Sequence, residues 1–239
     1  MTAAAGAYLL SMVRNKIALF FTFAFPLLFI VLFGLMYGGP GQMDRLAAGV
    51  LDWGVGNAAM FGVAYSIVQW RRDDLLRLVR TTPTPVTSLL SGWYVVTLGL
   101  AIAQAVLLLG VSLLPAFGLT VAAPGIVLLP VVLMVGSLTF FAIGVVVGRL
   151  APNPDAVAAI ANCVMIPMAF LSGSFYPLDL APHWMDVVSR FLPLRYLNDA
   201  MREVLSGGYH LVLPLSALLG FAVLFGVIGL RTFKWADNA

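Results

Sequence analysis

The chain has 239 residues, of which 62% are hydrophobic and 10% are charged, and its mean hydropathy is +1.02. Soluble domains average about 25% charged residues, so this composition excludes an ordinary water-soluble enzyme or binding domain. The net charge of +3 reflects where basic residues are placed along the chain, and we expect no nucleic-acid partner.

Five long stretches of the chain contain no charged residue: 17–43, 53–70, 81–148, 156–178 and 204–230. A charged side chain at the bilayer centre costs about 2.5–3.5 kcal/mol on insertion scales, so these gaps indicate hydrocarbon surroundings. One crossing takes about 20 apolar residues, and the longest stretch has room for two crossings and a turn. The sequence therefore predicts an all-α, polytopic membrane protein with one domain over residues 1–239. Its six predicted spans cover about 17–37, 51–70, 86–114, 126–148, 156–175 and 211–230.

The basic residues indicate how the chain is oriented in the membrane. With a cytoplasmic N-terminus, nine of the thirteen Lys and Arg residues lie inside and four lie outside, which the positive-inside rule favours. The inside set is Arg14, Lys16, Arg71, Arg72, Arg77, Arg80, Arg149, Arg231 and Lys234. We therefore expect a multi-pass protein of the bacterial cell membrane with both termini in the cytoplasm.

The second predicted span carries one narrow edge of small residues at intervals of four, made of Gly54, Ala58, Gly62 and Ser66. Small side chains let another helix approach closely, which is a main source of helix association in lipid. The edge indicates either packing within one subunit or contact between subunits, and the sequence favours neither.

The densest charge cluster follows the second span, as RRDDLLRLVRTTPTP over residues 71–85. Leu75, Leu78 and Val79 share one helical face, and Asp73 and Arg77 form an i,i+4 pair on another. The pattern predicts a short amphipathic helix at the cytoplasmic surface, between the second and third spans, which Pro83 ends.

Asn57, Gln104 and Asn162 are the polar residues deepest in the predicted spans. Polar groups within the membrane line substrate paths in some proteins, but more often they form hydrogen bonds between helices. Asn153 and Pro154 are expected to begin the fifth span as cap and first residue. The one cysteine, Cys163, is expected to be a small packing residue.

The segment 176–208 is amphipathic and too polar to span the membrane. Pro182 is expected to start a short helix with an apolar face, Pro193 to end it, and a second helix to continue until Gly207. We expect both helices to lie in, or dip into, the outer membrane interface between the fifth and sixth spans.

Three motifs in this order resemble one family. Arg14-Asn15-Lys16 leads into a phenylalanine-rich helix with Phe25-Pro26; a charged turn with leucines and Thr-Pro precedes the third span; and LSGSFYPL (171–178), Pro182-His183-Trp184 and Leu192-Pro193-Leu194 follow the fifth. The chain resembles type-2 ATP-binding-cassette (ABC) permeases, the membrane subunits of drug, lipid and polysaccharide exporters. Among them it looks most like daunorubicin-type multidrug-resistance permeases.

The resemblance implies roles for several residues. Residues 71–82 would be a coupling helix that rests on a separate ABC ATPase subunit, with Arg71, Arg72, Asp73, Leu75, Leu76, Arg77, Leu78 and Arg80 as the coupling residues. The outer segment would be re-entrant, with the signature residues Ser172, Gly173, Pro177, Pro182 and Pro193. Two permeases, as a homodimer or a heterodimer with a sister permease, would enclose a path for an amphipathic substrate among membrane lipids.

An ATP-driven pump needs a Gly-rich phosphate loop that ends in Gly-Lys-Ser/Thr. The chain has two lysines, Lys16 and Lys234, and neither follows a glycine. We therefore expect a transport subunit that binds no cofactor itself and whose partner holds ATP and Mg. Two alternatives carry less weight: a six-helix intramembrane serine protease using Ser174 and His210, whose order Ser-Gly-Ser-Phe does not fit Gly-x-Ser-Gly, and a passive channel or assembly factor.

Overall fold

A computed structural model describes residues 6, 9, 19–37, 42–73, 86–115, 117, 119, 123–176, 178 and 181–232. Every regular element among them is helical, and five helices are long and apolar enough to cross a bilayer. A shorter apolar helix covers Thr22–Met36. These findings confirm an all-α polytopic membrane protein. In chain order a π-helical turn, Phe20–Ala24, precedes α1 (Phe25–Tyr37), α2 (Gln42–Arg72), α3 (Val86–Ser112), α4 (Ala123–Ile126), α5 (Leu129–Leu150), α6 (Pro154–Leu171), α7 (His183–Ser189), α8 (Pro193–Ser206) and α9 (Val212–Thr232).

Helix α2 lies at the centre of the bundle and packs against α1, α3, α5, α6 and α8. It begins at Gln42, whereas the predicted second span begins near residue 51. Its 31 residues give it a length of about 46 Å, more than the roughly 30 Å of a hydrocarbon core. Met43, Ala47, Ala48, Val50 and Leu51 are buried, so tertiary packing extends the helix beyond the charge-free run.

Helix α2 packs closely against α5. A Cβ atom added at Gly144 would overlap the Met60 carbonyl oxygen, and one added at Gly148 would lie 3.0 Å from Ala64 Cα. Glycine at both positions therefore lets the two backbones touch, as small residues do between membrane helices. On the predicted small-residue edge, Gly54 is buried against Gln104 of α3.

Helix α5 is also tied to the last helix. The Thr139 hydroxyl donates to its own-helix Val135 carbonyl and to the Leu218 carbonyl of α9, both at 2.9 Å. The Tyr94 hydroxyl of α3 donates to the Met134 carbonyl at 2.6 Å. Helices α2, α5 and α9 thus form a tightly packed core, which α3 joins from one side.

Helix α6 lies at the edge of this core. The Asn153 side chain accepts a hydrogen bond from the Ala156 backbone N–H at 2.8 Å and Pro154 is the first residue, which confirms the predicted helix start. One stripe is buried, made of Val157, Ala161, Met165, Met168 and Ala169, and only 28% of the span is buried in the bundle. Cys163 was predicted to be a small packing residue, but it is exposed on the surface of the bundle. It lies on the side of α6 opposite that stripe.

Two short helices follow α6 as predicted. Pro182 is the N-cap of α7, and Gly207 ends α8 in the left-handed conformation with φ of 79°. The Gly208 N–H donates to the Glu203 carbonyl at 2.8 Å, which closes the last turn of α8. The apolar face of α8 is buried against α2, α5 and α9, so this helix belongs to the bundle at its outer end.

Candidate functional site

The C-terminal end of α2 is fastened to the C-terminal end of α5. The Arg71 guanidinium donates to the Gly148 carbonyl at 2.5 Å and to the Ala151 carbonyl at 3.4 Å. These carbonyls lie at the C-terminus of α5, where a helix lacks its own donors and a positive charge is favourable. Arg72 and Asp73 are exposed, and the Gln69 side-chain amide donates to the Asp73 carboxylate at 3.1 and 3.2 Å. Arg71 therefore connects two helices, a role that the sequence did not indicate.

The rest of the predicted coupling helix, including Leu75, Leu76, Arg77, Leu78 and Arg80, lies outside the described residues. The predicted Asp73–Arg77 pair and the end at Pro83 also lie outside them. The start of the segment, residues 71–73, lies at the same end of the bundle as the C-terminus of α5, because Arg71 contacts that end.

Gln104 forms a hydrogen bond between helices. Its side-chain amide is buried and donates to the Thr22 carbonyl at 2.8 Å. In an α-helix the N–H of residue 26 would satisfy that carbonyl, but residue 26 is proline and has no N–H. A membrane helix tolerates proline where a neighbouring helix supplies the missing donor, and Gln104 does so here.

Asn57 and Asn162 differ from Gln104 in that neither forms a bond between helices among the described residues. Asn57 is partly buried on α2, and its side-chain oxygen is buried without a hydrogen-bond partner among the described residues. Asn162 is exposed on α6, beside Cys163. Of the three polar residues predicted in the spans, one thus holds two helices together, one has a buried unpaired oxygen and one is exposed.

An aromatic cluster joins α1, α2, α6 and the turn after α6. Its members are Phe25, Phe29, Phe33, Trp53, Phe170 and Phe175. The Phe175 ring lies 5.9 Å from the rings of both Trp53 and Phe170. Asn57 lies one turn along α2 from Trp53, and Asn162 lies about two turns along α6 from Phe170.

The turn after α6 contains two buried serines on either side of a glycine. Ser172 and Ser174 are buried, and their hydroxyl oxygens lie 2.9 Å apart. Gly173 between them has φ of 89°, a conformation that glycine adopts without strain. Of the other residues predicted in this signature, Pro193 is buried at the start of α8, Pro182 caps α7, and Pro177 lies outside the described residues.

Sequence reasoning missed Asp52. It lies at the start of the predicted second span, within α2, and has no exposed surface. The Ser174 hydroxyl donates to its carboxylate at 2.8 Å. The signal that could have found it is a single acid flanked by apolar residues at helical spacing, because an ionisable residue within a membrane helix marks a functional site by default.

Ionic contacts fix the corner between α7 and α8. Arg195 of α8 donates to the Asp186 side chain at 2.6 Å and to the Asp186 backbone carbonyl at 3.0 Å, and Arg190 pairs with Asp186 at 2.7 Å. The hydrogen bond from Arg195 holds the pKa of Asp186 below its ordinary value. Burial raises the pKa of the neighbouring Asp199, against the effect of the same arginine.

A charged groove of about 540 Å³ lies beside this corner, between the start of α2, α8 and the start of α9. It is lined by Asp44, Arg45, Asp199, Arg202, Glu203, Ser206, His210, Leu213 and Pro214. His210 Nδ1 lies 3.8 Å from Glu203, whereas the Ser174 hydroxyl contacts Asp52 and Ser172. These partners do not form the serine–histidine pair that a serine protease needs. Within the described part of the chain, no group of three His, Cys, Asp or Glu residues is arranged to hold a metal ion.

Comparison with known proteins identifies the family. The chain is 35% identical over 100 residues to Nodulation protein J of Rhizobium leguminosarum bv. trifolii, a match that covers 42% of this chain and 37% of that protein. It is 25% identical over 179 residues to the linearmycin resistance permease protein LnrN of Bacillus subtilis, covering 73% and 46% of the two chains. It is 26% identical over 180 residues to ABC transporter G family member 20 of Dictyostelium discoideum, covering 74% and 24%.

The matches therefore span less than half of each of these relatives. A sequence model of the ABC-2 type transporter family matches residues 2–206, which is most of the chain. With its multi-pass helical bundle, the chain belongs to the ABC-2 type transporter family, the membrane permease component of ABC transporters.

Proposed function

We propose that the chain is the membrane-spanning permease subunit of an ATP-driven exporter. It would work with a second permease, either a copy of itself or a sister subunit, and with a separate ABC ATPase that binds ATP and Mg. Family membership over residues 2–206 is the observation that carries this proposal.

The translocation path would run along the exposed side of α6. Asn162 is exposed there in the middle of a span. Polar groups are costly against lipid, so a polar path or a second subunit accounts for Asn162 better than lipid does. A polar path beside α2 would also supply a partner for the buried Asn57 side-chain oxygen, which is unpaired within the described residues. The aromatic cluster would form the exit end of this path, because it lies beside the outer turn after α6.

The substrate would be an amphipathic drug or lipid. The name of the relative LnrN, a linearmycin resistance permease, supports drug efflux for this chain. Export of lipid or polysaccharide is the alternative that the family leaves open. Aromatic side chains provide a large apolar surface that suits a substrate with a bulky apolar part.

Orientation follows from the charge distribution. Both termini and residues 71–82 would lie in the cytoplasm of a bacterium, where the ATPase reaches them, and α7 and α8 would lie at the outer face. A conformational change of the ATPase would displace residues 71–82 and, through them, α2.

The test is reconstitution of the chain in proteoliposomes with the ABC ATPase that co-purifies with it. We expect ATP-dependent movement of amphipathic drugs, with hydrolysis stimulated by the transported compound. Drug movement at full rate by the purified chain alone, without nucleotide, would overturn the proposal. Movement of a lipid but of no drug would select the alternative substrate class.

Coupling through residues 71–82 is tested by Leu75→Asp and Leu78→Asp. A charge on the apolar face of the coupling helix should abolish ATPase binding and transport, while the permease still inserts in the membrane. Arg231→Ala at the end of α9 is the control, because it lowers the net charge by the same one unit at a position outside the coupling helix. Normal assembly with the ATPase in both leucine variants would contradict this coupling role.

A further inference from the structure

Asp52 is an acid within a membrane-spanning helix, and its side chain has no contact with solvent. Among the described residues it forms no ion pair, and the nearby charged residue that acts on it is another acid, Asp199. A buried carboxyl group without a cationic partner contributes little to stability, because its desolvation is not offset by attraction to an opposite charge. Its position therefore calls for an explanation other than packing.

The partners of Asp52 come from two other elements. Ser174, in the turn after α6, donates its hydroxyl hydrogen to Asp52 Oδ2 at 2.8 Å and lies 2.9 Å from the Ser172 hydroxyl. Asn198 of α8 lies beside the same carboxylate. Helix α2, the turn after α6 and the outer helix α8 thus meet at one carboxyl group.

A second contact, one helical turn away, holds the same turn against α2. A Cβ atom added at Gly49 would lie 1.9 Å from the Ser174 carbonyl oxygen. The backbone of α2 therefore touches the backbone of the turn at Gly49, and the Asp52 side chain binds the turn three residues later. Both contacts lie on one face of α2, because residues three apart are neighbours on a helix.

Apart from these contacts and the packing of the Phe175 ring on Phe29 and Trp53, the element held in this way has few other attachments. Most of α6 faces outward, and it meets the bundle through one stripe of small and apolar residues. The hydrogen bond to Asp52 is a polar, directional contact at its outer end. Apolar stripes allow sliding, whereas a buried hydrogen bond has one preferred geometry.

Helix α2 connects this contact to the cytoplasm without a break. Asp52 lies 20 residues before Arg72, which is about 30 Å along the helix axis, and the predicted coupling segment starts at Arg71. Any displacement of the cytoplasmic end is delivered to the turn after α6 at the outer face.

We propose that Asp52 is a positioning residue that fastens the turn Ser172–Ser174 to α2, so that movement of α2 carries the outer end of α6 with it. The inference rests on the proposed function for its role in transport, but the attachment itself is a property of the chain alone. The carboxyl group acts as a hydrogen-bond acceptor for Ser174 in this role.

The attachment is tested on the full chain in lipid nanodiscs, without the ATPase. Ser172→Cys in a Cys163→Ser background places a thiol at a site that is 1% exposed. A membrane-impermeant maleimide should label it slowly. Adding Asp52→Leu, which keeps side-chain bulk but removes the acceptor, should speed labelling about tenfold, and so should Ser174→Ala.

Asp52→Asn is the matched variant, since its amide oxygen still accepts the Ser174 hydrogen. We expect its labelling rate to stay within about threefold of the parent. Ser66→Ala, which removes a hydroxyl bonded only to its own-helix Gly62 carbonyl, should leave the rate unchanged. A parent-like rate in both Asp52→Leu and Ser174→Ala would overturn the attachment.

The role in transport is measured in proteoliposomes with the ATPase. Asp52→Leu and Ser174→Ala should retain assembly and ATP hydrolysis, while substrate moved per ATP falls about tenfold, and the double variant should be no worse than either single one. A proportional fall in hydrolysis and transport, or effects that multiply in the double variant, would overturn this role. Absence of ATP-driven transport in the parent chain would instead count against the proposed function and leave the labelling result intact.

Discussion

Two parts of the bundle are built on different principles. Helices α2 and α5 meet backbone to backbone at glycines, and the hydrogen bond of Thr139 to the Leu218 carbonyl joins α5 to α9. Helix α6 rests on the same core by one stripe and leaves Asn162 and Cys163 exposed. The first part is tightly packed, and the second presents most of its surface outside the bundle. Under the proposed function, the first part would be the scaffold and the second the substrate-facing surface.

The largest loss of stability is expected for a substitution at the α2–α5 contact. Gly144→Ala should lower the free energy of unfolding by about 2 kcal/mol, because the new methyl group overlaps the Met60 carbonyl. Thermal unfolding in nanodiscs measures it. Gly220→Ala in α9, where an added Cβ meets nothing within 4 Å, should be neutral or stabilising by up to about 1 kcal/mol. Equal melting temperatures for the two variants would contradict a close backbone contact between α2 and α5 at Gly144.

A smaller loss of stability is expected where the C-terminal ends of α2 and α5 meet. Arg71→Met removes the donors to the Gly148 and Ala151 carbonyls and should cost about 1–2 kcal/mol, since the side chain is only partly buried. Arg72→Met, which loses an exposed charge, should stay within about 0.5 kcal/mol of the parent. Chemical unfolding of the two variants in mixed micelles makes the comparison. Equal losses would mean that Arg71 does not join α2 to α5.

The smallest expected change in stability is used to distinguish a residue that holds helices together from a residue that contacts substrate. Gln104→Leu leaves the Thr22 carbonyl without its donor and should lower stability by about 1 kcal/mol, with the order of preferred substrates unchanged. Asn162→Leu, on the exposed side of α6, should do the reverse: stability is kept and substrate preference changes. Efflux assays with a panel of drugs of different polarity distinguish them. If substrate preference changed in Gln104→Leu and not in Asn162→Leu, Gln104 would be the substrate-contacting residue and Asn162 would not.

Much of this fold was predictable because its signals are local. The cap at Asn153, the start after Pro182 and the end at Gly207 each depend on a few adjacent residues, and the structure confirms all three. The start of α2 was not predictable in this way. Asp44, Arg45 and Asp52 mark 42–52 as polar, but buried neighbours hold it as helix.

The candidate site was harder to predict, because its contacts join residues that are far apart in the sequence. Ser174 is 122 positions from Asp52 along the chain, and no local pattern pairs them. The role of Gln104 depends on a proline 78 residues earlier, which becomes meaningful only when α3 lies beside α1. Exposure of Cys163 could not be read from hydropathy, because a helix in lipid may be apolar on every side.

The short length of α6 has a consequence for the surrounding bilayer. Its 18 residues extend about 27 Å, whereas the 22 residues of α5 extend about 33 Å. Lipids that border α6 must therefore thin to match it, at a cost that grows with acyl chain length. A membrane of long-chain lipids thus favours shielding this flank with another protein, and hydrophobic mismatch becomes a driving force for pairing of subunits.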